Sequence, residues 1–149
     1  MQIVEETGYV SIEEIGRIAF HPESGIFAVL TMQHDRPLLR HATTLVGNEI
    51  SFMITLLSHY PKLAPREEFV CTFRGTEGDL ALARCKKELD AANRVATDRI
   101  MRPIRSTFHR MRKKLEPMGL TVDTVYETGF MLGLGEENGT RKTLSRRAP

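Results

Sequence analysis

The chain has 149 residues, 41% apolar and 27% charged, the composition of a soluble globular protein large enough to bury one core. No apolar run approaches the roughly 18 residues of a membrane span, and the acidic start MQIVEETGYV lacks the apolar centre of a secretion signal. Charge is uneven: residues 1–83 hold six Lys or Arg against eleven Asp or Glu, and residues 84–118 hold eleven against four, so a polyanion would dock on one side only.

Ile3 to Val10 reads as a weak edge strand. Ile15–Phe20 and Ile26–Met32 are β-rich runs around the turn cluster His21-Pro22-Glu23-Ser24-Gly25. Gln33-His34-Asp35-Arg36 is the next turn, and Pro37–Arg40 begins a further short strand. Together these predict an N-terminal antiparallel sheet of three or four strands. From Thr43 the period changes. Ile50, Met53, Ile54 and Leu57 recur at helical spacing, with Glu49 in the first turn where its charge suits the helix dipole. Tyr60-Pro61 ends that run. A second helix starts near Pro65, with Glu67 and Glu68 in its first turn and Phe69, Val70 and Phe73 inward. Arg74–Gly78 breaks it. Asp79 is the expected N-cap of a third helix, Leu80 to Val95, whose thin apolar face is Leu82, Leu89 and Ala92 or Ala96. Cys71 and Cys85 lie in apolar helical settings and are expected as reduced packing residues of a cytoplasmic protein.

The next stretch, RIMRPIRSTFHRMRKKL from Arg99 to Leu115, dominates the reading. Ile104, Phe108, Met111 and Leu115 follow steps of four, three and four, a stripe of about 60° on a helix. Pro103 suits a first helical turn, and Pro117 and Gly119 stop the helix. Opposite the stripe lie Ser106, His109, Arg110 and Lys113, with Arg105 and Arg112 on one flank and Lys114 on the other. A charged helix face is ordinarily just solvated. Here, however, every charged residue from Arg99 to Lys114 is Lys or Arg, whereas surface helices mix signs for i,i+4 support. Helix 103–115 therefore suits a DNA major groove. Ser106, His109, Arg110 and Lys113 would reach base edges, and Arg99, Arg102, Arg105, Arg112 and Lys114 would reach phosphates. The alternatives are a salt bridge from Arg112 to Glu116 and an uninvolved surface histidine at 109. Leu120–Tyr126 and Phe130–Leu134 form a hairpin around the tight turn Glu127-Thr128-Gly129. Residues 135–149 read as a disordered, basic-ended tail.

Enzyme chemistry has little support. The five histidines form no i,i+4 pair, Cys71 and Cys85 lack CxxC spacing, and no phosphate-binding glycine loop is present. Gly133-Leu134-Gly135 is followed by two glutamates. No catalytic residue, metal site or cofactor is expected.

Taken in order, IGRIAFHPESGIFAVL, LVGNEISFMITLLSHYP, PREEFVCTFRG, STFHRMRKKLEP and TVYETGFML resemble the strand pair, first helix, second helix, recognition helix and wing of the winged-helix DNA-binding (effector) domain of OmpR/PhoB response regulators. The resemblance covers roughly Ile12 to Leu132. It implies an α+β fold: a winged helix-turn-helix with an N-terminal antiparallel sheet, three core helices, an extra helix before the recognition helix and a C-terminal β-hairpin wing. Residues 1–134 would form this domain, with an insert at 76–98. Arg110 matches a family position that contacts DNA, and Thr107 stands at a family histidine, implying a phosphate contact. Several positions depart from the pattern. Val46 replaces the threonine N-cap of the first helix, and Arg105 replaces an aspartate. Tyr126, followed by Glu127, replaces the wing arginine that enters the minor groove. Either Tyr126 contacts a sugar there, or the basic tail (Arg141, Lys142, Arg146, Arg147) supplies the missing charge. The length leaves no room for a receiver module, so control by abundance, a partner or a ligand is expected.

The resulting expectation is a cytoplasmic, nucleoid-associated transcription regulator of bacterial or phage type that binds double-stranded DNA sequence-specifically. A homodimer on DNA is expected, because one such domain reads only a short half-site. Two alternatives stand beside it. One is an architectural, nucleoid-type DNA binder with loose specificity. The other is an adaptor that grips RNA polymerase or another regulator through the 80–95 insert.

Overall fold

The computed structural model describes residues 9–12 and 16–135. The start of the expected first strand and the basic tail lie outside the described residues. The fold is α+β. Strands β1 (Tyr9–Ile12), β2 (Gly16–His21), β3 (Ile26–Gln33) and β4 (Arg36–Thr44) form an antiparallel sheet in sequence order. Helices α1 (Asn48–His59), α2 (Arg66–Arg74), α3 (Asp79–Ala91) and α4 (Arg94–Leu115) follow. A second antiparallel sheet, ordered β5-β7-β6, joins β5 (Ala64–Pro65) to the hairpin β6 (Leu120–Val125) and β7 (Gly129–Leu134).

The expected elements form in the expected order, with instructive differences. Strand β4 runs to Thr44, well past Arg40. His34 and Asp35 both take positive φ (52° and 63°) between the paired Gln33 and Arg36. That conformation matches the twist of a two-residue hairpin and lets β4 track β3 along its length. On α1 the buried positions are Glu49, Phe52, Met53, Leu56 and Leu57, whereas Ile54 is 44% exposed. The inward stripe therefore starts one residue earlier than the isoleucine spacing predicts. Phe73, expected inside, is 40% exposed. Asp79 is the first residue of α3 rather than its cap, which is Gly78 at φ 96°.

The largest correction concerns α4, which begins at Arg94 rather than Pro103. Asn93 caps it, its side-chain oxygen accepting from the Ala96 amide at 2.8 Å. Pro103 therefore lies inside the helix, where its missing N–H leaves the Arg99 carbonyl without its helical donor. The turn of the C-terminal hairpin also lies one residue earlier than expected, at Tyr126-Glu127-Thr128, with Val125 facing Gly129. Gly129 serves a different purpose: a Cβ there would come within 2.1 Å of the Ala64 carbonyl oxygen. The missing side chain lets β7 pair with β5.

Four phenylalanine rings lock these pieces together. Phe52 of α1, Phe69 of α2, Phe108 of α4 and Phe130 of β7 are all buried. The contacting centroids lie 4.4 to 5.4 Å apart, with all three Phe69 contacts nearly perpendicular (74° to 88°). That range suits edge-to-face and offset packing. Ile104, Met111 and Leu115 complete the inward side of α4, each 1% exposed or less. Replacing Phe69 with alanine should lower the unfolding free energy by about 3–5 kcal/mol. Chemical denaturation checks this, and a loss under about 1 kcal/mol would show that the ring cluster does not hold the helices together.

Candidate nucleic-acid interface

Because α4 buries Met101, Ile104, Phe108, Met111 and Leu115, the opposite side of the helix points into solvent. Arg99, Arg102, Ser106, His109, Arg110 and Lys113 are all exposed along it, over about 20 Å at 1.5 Å per residue. Beside this ridge a groove of about 1270 Å³ separates the first turns of α4 from the hairpin, with Leu89, Met101 and Phe130 among its lining residues. Tyr126 stands at the hairpin turn, 75% exposed.

The flanks of α4 are fastened. On one side Glu49, at the start of α1, is 1% exposed. Its Oε1 accepts from Lys114 Nζ at 2.6 Å and from the Val46 amide at 2.9 Å, and Arg110 Nε lies 3.6 Å from Oε2. Lys114 also donates to the Thr44 carbonyl at 2.9 Å. A buried carboxylate is costly unless ion-paired and hydrogen-bonded, and α4 supplies both cations. On the other side Arg112 Nε donates to the Val122 carbonyl at 2.8 Å and Nη2 to Thr124 Oγ1 at 2.9 Å. Burial pushes the pKa of that guanidinium down, and Asp123 offsets part of the shift.

These contacts give four of the expected site residues partners within the fold. Lys114 and Arg112 tie α4 to α1 and β6 rather than standing free for phosphates, and Arg112 makes strand contacts where a bridge to Glu116 was the alternative. Thr107 is only 1% exposed and its hydroxyl donates to the Pro103 carbonyl at 3.0 Å, so it is not presented to a ligand. Arg105 is held by Asp98, which also accepts from Arg102 Nη2 at 2.8 Å. The Arg102 hydrogen bond comes first in holding the Asp98 carboxyl below its usual range, and the charge of Arg105 adds to it.

Glu49 and Asp98 are the site residues that sequence reasoning missed. Glu49 reads as a dipole partner only. Asp98 lies one turn before Arg102, but a helix starting at Pro103 leaves it out. The capping residue Asn93 is the signal that would have brought it in. The residues brought together on the open ridge are Arg99, Arg102, Ser106, His109, Arg110 and Lys113. Tyr126 stands apart from them on the hairpin. Among the described residues, no group of three or more His, Cys, Asp or Glu is placed to hold a metal ion, and no helix is long and apolar enough to cross a membrane.

In comparisons with known proteins, the chain matches no family model, no curated protein and no solved structure.

Removing the Glu49 carboxylate should loosen α4 from α1. Glu49→Ala should cost about 1–3 kcal/mol of stability, because Lys114 and the Val46 amide lose their acceptor. The pair Glu49→Ala and Lys114→Met, measured singly and together by chemical denaturation, should show clear non-additivity. Additive losses would mean that the two groups do not act as a unit.

Proposed function

We propose that this chain is a winged-helix DNA-binding protein of the OmpR/PhoB effector type, and that it reads double-stranded DNA with α4 in the major groove as a transcription regulator. The observation that carries the reading is the exposed ridge of α4. It is a single helix, backed by a rigid apolar stripe and held from both sides, whose free face bears cations together with the short polar side chains Ser106 and His109. A helix of this kind fits a groove about 12 Å wide. The element order supports the same reading: an N-terminal sheet, helices ending in the basic helix, then a hairpin beside it.

In this reading Ser106, His109 and Arg110 face base edges. Arg is the usual bidentate partner of guanine O6 and N7. Lys113 and Arg99 are the exposed cations best placed for phosphates. Asp98 tempers Arg102 and Arg105, so these two would engage DNA only in competition with it. Tyr126 at the hairpin turn is available for a sugar contact. Binding as a homodimer would extend the short half-site that one such domain reads. A second reading, an adaptor that docks on RNA polymerase, is favoured by the exposure of Leu80 (67%) and Val95 (68%) on and beside the inserted helix α3.

The first experiment is recovery and sequencing of genomic fragments bound by the purified protein at about physiological salt. Sharp peaks sharing a short repeated motif are the expected result. Broad enrichment would indicate a coating protein, and no enrichment would favour the adaptor. On a recovered site, Arg110→Ala should cost about 1–3 kcal/mol and relax preference at one base position. Asp98→Asn should act in the opposite sense. By releasing Arg102 and Arg105 it should tighten binding to any duplex and steepen the salt dependence by about one unit. Fluorescence anisotropy across a salt series distinguishes the two, and wild-type behaviour from both variants would exclude α4 as the reader.

A further inference from the structure

Cys71 on α2 and Cys85 on α3 face each other across the packed helix pair, with Sγ atoms 3.0 Å apart. Both are buried and both are free thiols. The DNA-binding reading uses neither. A disulfide has an S–S length of about 2.05 Å, so bonding requires the sulfurs to approach by about 1 Å. The two helices meet through the turn at Gly75–Gly78, which folds one sulfur back onto the other.

The surroundings of the pair add a second observation. Arg74 Nη1 lies 4.0 Å from Cys85 Sγ and donates to Glu88 Oε1 at 2.6 Å, while Nη2 donates to Glu88 Oε2 at 3.0 Å. The Arg74 and Glu88 side chains are 39% and 47% exposed. This forked ion pair lies beside Cys85, so Glu88 competes with the Cys85 sulfur for the Arg74 guanidinium. Burial, chiefly, pushes the Cys85 thiol up to about 11, and Arg74 opposes that shift. At neutral pH the buried pair therefore reacts slowly.

We propose that Cys71 and Cys85 form an oxidation site at which hydrogen peroxide drives an intramolecular disulfide that fastens α3 to α2. The small thiolate fraction of Cys85, the sulfur beside the Arg74 guanidinium, attacks one peroxide oxygen. The O–O bond breaks, Cys85 becomes a sulfenic acid, and the departing hydroxide takes up a proton and leaves as water. Cys71 then attacks the Cys85 sulfur and expels hydroxide, which takes the Cys71 proton and leaves as a second water. Two electrons pass from the two thiols to one hydrogen peroxide.

The test uses the intact chain and hydrogen peroxide, without DNA, so its outcome is independent of the DNA-binding reading. After exposure, the protein is denatured, alkylated and mapped by mass spectrometry without reductant. The expected result is a monomer that has lost two hydrogens, contains a peptide link between Cys71 and Cys85, and melts several degrees higher. Reduction with dithiothreitol should restore the starting melting temperature. Glu88→Gln, which frees Arg74 to favour the Cys85 thiolate, should speed disulfide formation at least two-fold, while Cys71→Ala abolishes it. Retention of both thiols in the wild-type protein, a link between two chains, or an unchanged melting temperature would overturn the proposal.

Discussion

The structure depends on four phenylalanines meeting at one point. Each comes from a different element: α1, α2, α4 and β7. Edge-to-face packing of aromatic rings is directional as well as apolar, so the cluster sets the angles between the helices as well as driving their burial. It seats Phe108 at the middle of the α4 stripe, and everything on the far side of that helix is then forced outward. The cationic ridge is thus a consequence of where the core places one ring.

Around that apolar pivot, polar contacts fix the rotation and tilt of α4. Glu49 holds Lys114 and approaches Arg110 on one flank, while Arg112 reaches the β6 backbone on the other. These contacts bind strand carbonyls as well as side chains, so they also satisfy backbone groups at the end of β4 and within β6. The basic residues of α4 consequently divide into two kinds. Some anchor the helix to its neighbours, and the others remain on the ridge, where a polyanion could reach them. Formal charge along the sequence does not separate the two.

Helix α3 follows α2 in the chain and packs against it through Cys85 and Leu89, and it hands the chain to α4 across Ala92 and Asn93. Its arrival lets α4 start two turns before Pro103. That extension brings Asp98 into the helix, one turn from Arg102 and two from Arg105, where it tempers the cationic field near the hairpin groove. A link between α3 and α2 would therefore act close to the N-terminal end of the ridge without touching it.

Much of this was legible in the residues. Alternation and turn chemistry located the strands, and the helical period located α1, α2 and the Ile104-Phe108-Met111-Leu115 stripe, because both signals depend on near neighbours in the chain. The extent of β4 was not legible, since it depends on pairing with β3 across a hairpin. Nor was the position of Gly129, whose constraint is a carbonyl on Ala64 far away in sequence. What the sequence determined by itself was the order of elements, the apolar stripe of α4 and the concentration of positive charge in one segment, since periodicity and composition are local properties. Only the tertiary structure decided which cations stay free. Lys114, Arg112, Arg105 and Arg102 have partners whose proximity arises from the folded packing of separate elements or from a helix start that the stripe does not reveal. A charge's availability depends on that proximity, which residue type alone does not report.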